Sequence, residues 1–194
     1  MVDPVNFTNF NRTEVELEEV ALFSVLVAGK NALSTARSLE TLLASAHWKL
    51  GIYGRFCPFH ALRQFSMEEL PQMLIDSGIG CYNSKSKSVY ELVRSNLDLR
   101  TCSVADLEKI HGIGPKTARM FVLHTRPNSD VAALDVHILH YMSDNGVDVP
   151  RSTPTGKRYR ELEKKFLEMA KKAKKSVADF DLEIWRKYSG REVA

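Results

Sequence analysis

Apolar residues recur along the chain at spacings of three and four, while runs alternating with period two are short and scarce, so the pattern predicts helix nearly throughout. Helix starts are marked by Thr13-x-x-Glu16, Ser66-x-x-Glu69, Ser103-x-x-Asp106 and Ser176-x-x-Asp179. In each, a hydroxyl and a carboxylate can satisfy backbone donors left open in a first helical turn. Residues Val20 to Ala28 are apolar on every side and predict a central buried helix ending at Gly29. Another helix is expected from Met67 to Ser77, stopped by Gly78-Ile79-Gly80, and another from Asp135 through Met142. A polar loop, Asp144 to Gly156, carries Pro150 and Pro154 and leads into Lys157 to Lys175. That last segment holds nine Lys or Arg against three Glu, with Tyr159, Leu162, Phe166, Met169 and Ala173 on one face. It reads either as a solvated surface helix or as a basic face turned to DNA. No internal repeat or low-complexity tract interrupts the pattern.

One stretch departs from plain amphipathic helix. In LEKIHGIGPKTARMFV, residues 107–122, Leu107 and Ile110 end one helix, Gly112-Ile113-Gly114 makes a tight hairpin, and Ala118, Phe121 and Val122 begin the next. Glycines permit backbone angles closed to other residues, and their small size lets phosphate oxygens approach the open N–H groups of the second helix. Ile113 is expected to plug the hairpin and small Ala118 to let the helices cross closely. Such a device grips phosphate without reading base sequence. A phosphate-binding hairpin in another kind of protein, or a merely structural turn, is the competing reading.

Composition narrows the field only a little. A chain of 194 residues with 44% hydrophobic content fits one globular unit or two small lobes, and a formal charge of +3 barely favours a nucleic-acid partner. Cys57, Cys81 and Cys102 are odd in number and widely spaced, which points to a reducing compartment and to buried or inert thiols. They offer no thiolate set for zinc or an iron–sulfur cluster. The first twenty residues lack a basic start and apolar run, so no secretory signal is expected, and the longest apolar stretch is too short to span a bilayer. The H-x-E and P-C-x-x-C signature of zinc deaminases is missing.

The hairpin Gly112–Ala118, followed by Ala133-Leu134-Asp135-Val136-His137-Ile138, resembles the helix-hairpin-helix DNA glycosylases with a Gly/Pro-rich loop and an essential Asp, the endonuclease III superfamily. Ile79 to Lys85 resembles the segment before the hairpin in endonuclease III. Leu134 to Leu139, and Ser176 to Trp185 with Ser189-Gly190, are similar to the archaeal-type 8-oxoguanine glycosylase/lyases. The resemblance covers roughly residues 14–190. It implies an all-α fold of two helical lobes with the active-site cleft between them, one about 30–130 and the other about 1–29 plus 136–194. It also implies that Lys116, two residues past the second hairpin glycine, is the nucleophile, and that Asp135, 19 positions further on, is the essential carboxylate.

Those two groups suit base excision. Departure of a base builds positive charge on the sugar, which a fixed carboxylate stabilises. A neutral amine can then attack the anomeric carbon, form a Schiff base and allow strand nicking, so Lys116 is expected to have a lowered pKa at its desolvated helix start. Lys116 could instead only contact phosphate, and Asp135 could merely cap the next helix. Candidate DNA contacts are Gly112, Ile113, Gly114 and Thr117 of the hairpin with His111 beside it. The resemblance adds two wedge loops that fill the gap left by a flipped base, mapping to Lys30 and Asn31 and to Tyr82 and Asn83. His137 and His140 lack companions at metal spacing and read as structural. The implied partner is duplex DNA holding a damaged base or abasic site, met inside the cell, cytoplasmic or nucleoid-associated, by a monomer. No cofactor is expected, although the hairpin could hold a monovalent cation. Two departures stand out: no four-cysteine cluster follows the core, and the chain ends Arg191-Glu192-Val193-Ala194 where archaeal-type enzymes carry a basic terminus near the damaged base. The excised base, a monofunctional or modified-thymine chemistry, and a non-catalytic DNA-binding module all stay open.

Overall fold

The computed structural model describes residues 2–51 and 57–190, and all regular structure among them is helical. The ten helices among the described residues are α1 (Glu14–Leu26), α2 (Ala32–Leu50), α3 (Pro58–Arg63), α4 (Leu70–Asp76), α5 (Tyr82–Arg94), α6 (Val104–Leu107), α7 (Pro115–Thr125), α8 (Val136–Asp144), α9 (Gly156–Lys172) and α10 (Val177–Tyr188). No helix among the described residues is long and apolar enough to cross a membrane. The chain divides into two compact units, Met1–Pro4 with Asn11–Ile113, and Val5–Phe10 with Gly114–Ala194. The division thus falls inside the hairpin, and α1 joins the first unit instead of the second lobe anticipated from sequence.

The reason lies in α1 itself. Leu17 and every residue from Val20 to Leu26 are buried, and α1 packs on α2, α3 and α5. Leu22 and Leu26 are both 0% exposed, a burial that contributes about 1.5–3 kcal/mol each. An apolar surface on all sides needs neighbours on all sides, so α1 is the core of the first unit. Its start is held by the full Thr13–Glu16 capping box, and Gly29 follows its end at φ +68°.

The start of α4 and the end of α9 differ from the sequence pattern. The Ser66–Glu69 reciprocal bonds form, but over a turn, and α4 begins only at Leu70. Pro71 has no N–H to offer Met67 O, so the ladder cannot start earlier. α9 ends at Lys172 rather than Lys175, and its inward face carries Ala170 while Ala173 is exposed. Of the thiols expected to be buried or inert, only Cys102 is buried, while Cys57 and Cys81 are exposed.

The second unit has its own core of Leu134, Ile138, Leu139, Met142, Tyr159, Leu162, Phe166, Phe180 and Ile184. α10 packs against α7, α8 and α9. The segment Val5–Phe10 is tied in by Asn9 N–H to His124 O at 3.1 Å and by the Arg186 guanidinium donating to Val5 O at 2.9 and 2.6 Å.

Candidate active site

Lys116 and Asp135 both belong to the second unit. Lys116 is the second residue of α7, half-buried, with Nζ 3.1 Å from Met120 Sδ one turn along. Met120 in turn packs on the small cluster Leu123, Ala133 and Ala178. Pro115 supplies a first-turn residue without an N–H to satisfy, and Gly114 gives α7 no side-chain cap. The helix start therefore keeps its dipole and open amides for a ligand.

Asp135 is the N-cap of α8, in extended backbone, and its Oδ1 accepts from His137 N and Ile138 N at 2.9 Å each. The capping reading holds geometrically, and it leaves Oδ2 of the half-buried side chain for other work. The approach to Asp135 is templated by α9. Tyr159 Oη donates to Ala132 O at 2.7 Å and accepts from Leu134 N at 3.1 Å. Glu163 Oε1 accepts from Ala132 N at 3.0 Å and from Arg119 Nε at 2.7 Å. Arg119 also donates to Pro115 O at 3.3 Å and lies over the Tyr159 ring at 4.7 Å. One network therefore holds the first turn of α7 and the strand-like run 132–134 to the same helix face. Burial pushes the Tyr159 hydroxyl well above the usual phenol range, which keeps it a neutral donor.

A second buried constellation adjoins it. Asp181 Oδ2 meets His124 Nε2 at 3.2 Å, and His124 Nδ1 meets Thr8 Oγ1 at 2.8 Å. Asp181 Oδ1 is buried with no hydrogen-bond partner. Its carboxyl is pushed up by burial; the bond and charge of His124 oppose this, Asp135 adds to it and Lys116 opposes it. Lys116 and Asp135 therefore share the electrostatic neighbourhood of one buried acid.

The remaining hairpin residues divide by role. Gly112 lies at φ +75°, and a Cβ there would stand 2.3 Å from Ser88 Oγ, so that turn demands glycine. Gly114 is different: its backbone is extended and a Cβ would meet open space. The special-angle argument applies to Gly112 only, and Gly114 serves by leaving room. Ile113 and Ala118 are buried as expected. Thr117 is buried too, so it can offer a ligand its first-turn amide rather than its side chain. His111 is exposed, with its N–H on Glu91 Oε2 at 2.7 Å.

Within the first unit the two proposed wedge loops meet. Lys30 extends across Gly80, its Nζ 2.7 Å from where a Cβ would stand. Asn31 is used as the N-cap of α2, accepting from Ser34 N at 3.2 Å, while Tyr82 and Asn83 are exposed in the first turn of α5. Sequence reasoning missed Lys85, whose buried ammonium donates to Leu26 O at the end of α1. Burial lowers its pKa, Cys81 opposes that, and Lys30 reinforces it. It missed Arg119, Glu163, His124 and Asp181 as well. An acid at position 163, inward-facing by its spacing from Tyr159 and Phe166, was the available signal. His137 stacks edge-on against Trp185 at 6.5 Å, in keeping with a structural role. Residues 191–194, and with them the departure at the chain end, lie outside the described residues. A cavity of about 600 Å³ beside Leu123, Arg126 and Val177, at the far end of α7, is lined by none of the candidate residues.

The all-helical architecture, with this hairpin followed by a helix-capping Asp, places the chain among helix-hairpin-helix proteins in class. The family described as 8-oxoguanine DNA glycosylase matches residues 7–175. The chain belongs to that family. It is 35% identical over 85 residues to an 8-oxoguanine DNA glycosylase/AP lyase of Picrophilus torridus, a match spanning 44% of this chain and 40% of that one. In fold it is similar to the Methanocaldococcus jannaschii 8-oxoguanine glycosylase/lyase crystallised with a 15mer DNA containing 8-oxoguanine, with TM-score 0.69, 20% identity, and coverage of 97% of this chain and 88% of that one. The Thermotoga maritima 8-oxoguanine DNA glycosylase gives TM-score 0.68 at 22% identity, over 92% and 82% of the two chains.

Proposed function

We propose that this protein is a bifunctional DNA glycosylase/lyase that removes an oxidised purine of the 8-oxoguanine kind from duplex DNA. The observation that carries the reading is the pairing of an amine at the uncapped start of α7, Lys116, with a capping carboxylate, Asp135, around the buried Asp181. Asp135 would stabilise the cationic sugar as the glycosidic bond breaks and its electron pair leaves with the base. The Lys116 amine would form the new bond to the anomeric carbon and give up its proton; ring opening then gives an imine, and loss of a neighbouring proton expels the 3′ phosphate. These steps use an amine and a carboxylate alone, so neither metal nor organic cofactor is proposed. Gly114 and the first-turn amides would receive backbone phosphate, and Lys30, Tyr82 and Asn83 would fill the space of the flipped nucleotide. Family membership suits a protein working on DNA inside the cell.

Borohydride trapping tests this. Native chain incubated with a duplex carrying 8-oxoguanine should give a covalent protein–DNA adduct, and Lys116→Gln should give none. Base release without trapping by the native chain would reduce the activity to a monofunctional one. Equal trapping by both chains would move the nucleophile elsewhere, Lys30 being the first to examine.

A further inference from the structure

The basic helix α9 has two faces with different work. Its inner face is fixed: Tyr159, Leu162, Glu163, Phe166 and Ala170 are buried, and Glu163 is paired with Arg119. The roll of the helix is therefore set, and the opposite face must point to solvent. Seven Lys or Arg and three Glu give α9 a formal charge of +4, against +3 for the entire chain, so all other residues together carry −1. The protein's excess positive charge is thus concentrated on one helix.

On the outer face, Lys157, Arg160, Lys164 and Lys171 follow one another at spacings of three, four and seven, forming a single stripe about 21 Å long at 1.5 Å per residue. Arg160, Lys164 and Lys171 make no ion pair among the described residues, and Lys157 reaches Glu161 only at 4.0 Å. Arg160 and Lys164 are like charges one turn apart, an arrangement that disfavours the isolated helix. A row of uncompensated cations fits an external line of anions. Along about 21 Å of duplex axis, one strand presents roughly six phosphates at 3.4 Å intervals.

We propose that the Lys157–Arg160–Lys164–Lys171 stripe is a second phosphate-contact surface, which follows the backbone of the same duplex outside the lesion; this rests on the glycosylase reading above. The Arg119 bridge from Pro115 O to Glu163 ties α9, the helix that carries the stripe, to the start of α7. Contact with one would therefore help set the duplex on the other.

The test is the salt dependence of binding to lesion-free duplex, read by fluorescence anisotropy between about 50 and 200 mM salt. Replacing the four cations by Gln leaves the buried face intact. It should reduce the slope of log K against log salt by about 3–4, at roughly 0.9 for each phosphate the variant no longer neutralises. Single-turnover base release at saturating enzyme should stay native. Glu168→Lys, which adds a cation beside the stripe, should steepen the slope by about 1. Slopes unchanged in both variants would overturn the proposal and leave the stripe to solvent or to a different acidic partner. A native chain that traps on lesion DNA while the slopes stay flat would sink this inference alone. A native chain that binds no duplex would sink both.

Discussion

Replacing Tyr159 by Phe removes a single oxygen and orphans two buried groups. The hydroxyl now donates to Ala132 O at 2.7 Å and accepts from Leu134 N–H at 3.1 Å, and both residues are 0% exposed. An unsatisfied buried backbone group costs about 1–3 kcal/mol, so two would cost about 2–6. Ala132 N–H keeps its tether to Glu163, and Phe keeps the ring under Arg119. The expected loss is therefore in the lowest quarter of that range, about 2–3 kcal/mol. For a protein of this size that corresponds to a midpoint about 4–12 °C lower. The same change loosens the residue next to Asp135. Misplacement by about 1 Å can cost about a hundredfold in rate, so a drop of about tenfold in single-turnover excision is expected. Urea unfolding and quenched-flow excision on one preparation measure both. A stability change below about 0.5 kcal/mol, with native excision, would refute the claim that α9 templates the Asp135 approach.

Asp135→Asn keeps an acceptor oxygen for the two cap amides and removes the charge. Folding should change by less than about 1–2 kcal/mol while single-turnover excision falls at least about a hundredfold, and a rate within a few-fold of native would make Asp135 a cap alone. Gly112→Ala should destabilise by about 1–2 kcal/mol or more through its left-handed backbone and the Ser88 contact, whereas Gly114→Ala should melt like native and bind lesion-free duplex more weakly. The reverse pattern would exchange the roles assigned to the two glycines. The Asp181 carboxyl is raised in the folded state by burial, so the fold binds the proton more tightly than the unfolded chain. Stability should then decline as pH rises from about 4 through the raised folded value, and Asp181→Asn should gain on native over that window in urea midpoints. A gap independent of pH would show that the carboxyl ionises equally in both states.

Much of this architecture was legible in the residues, for identifiable reasons. Thr13–Glu16 and Ser103–Asp106 form full capping boxes because both halves act locally, within one turn. Asp135 sits at its helix start for the same reason. What was not legible depends on distant partners. The side chain of Glu163 finds Arg119 and Ala132 from 44 and 31 residues away. The ring of His124 is fixed by Thr8 and Asp181, at separations of 116 and 57. No periodicity encodes such pairs. The lobe boundary was missed because helix spacing shows that α1 is buried without showing what buries it. The division of roles between Gly112 and Gly114 was not legible because a G-x-G string does not separate a glycine needed for its backbone angle from one needed for emptiness.

The Asp135 cap also makes the chemistry observable from a distance. Two amides, His137 N–H and Ile138 N–H, donate to one oxygen of that carboxylate at 2.9 Å, and their resonances will track its charge. If the other oxygen leans toward a cationic sugar, electron density leaves the cap and both proton shifts should move upfield together. A pair of backbone NMR signals in α8 thus becomes a built-in voltmeter for the active site, readable with unlabelled DNA and without any substitution in the enzyme.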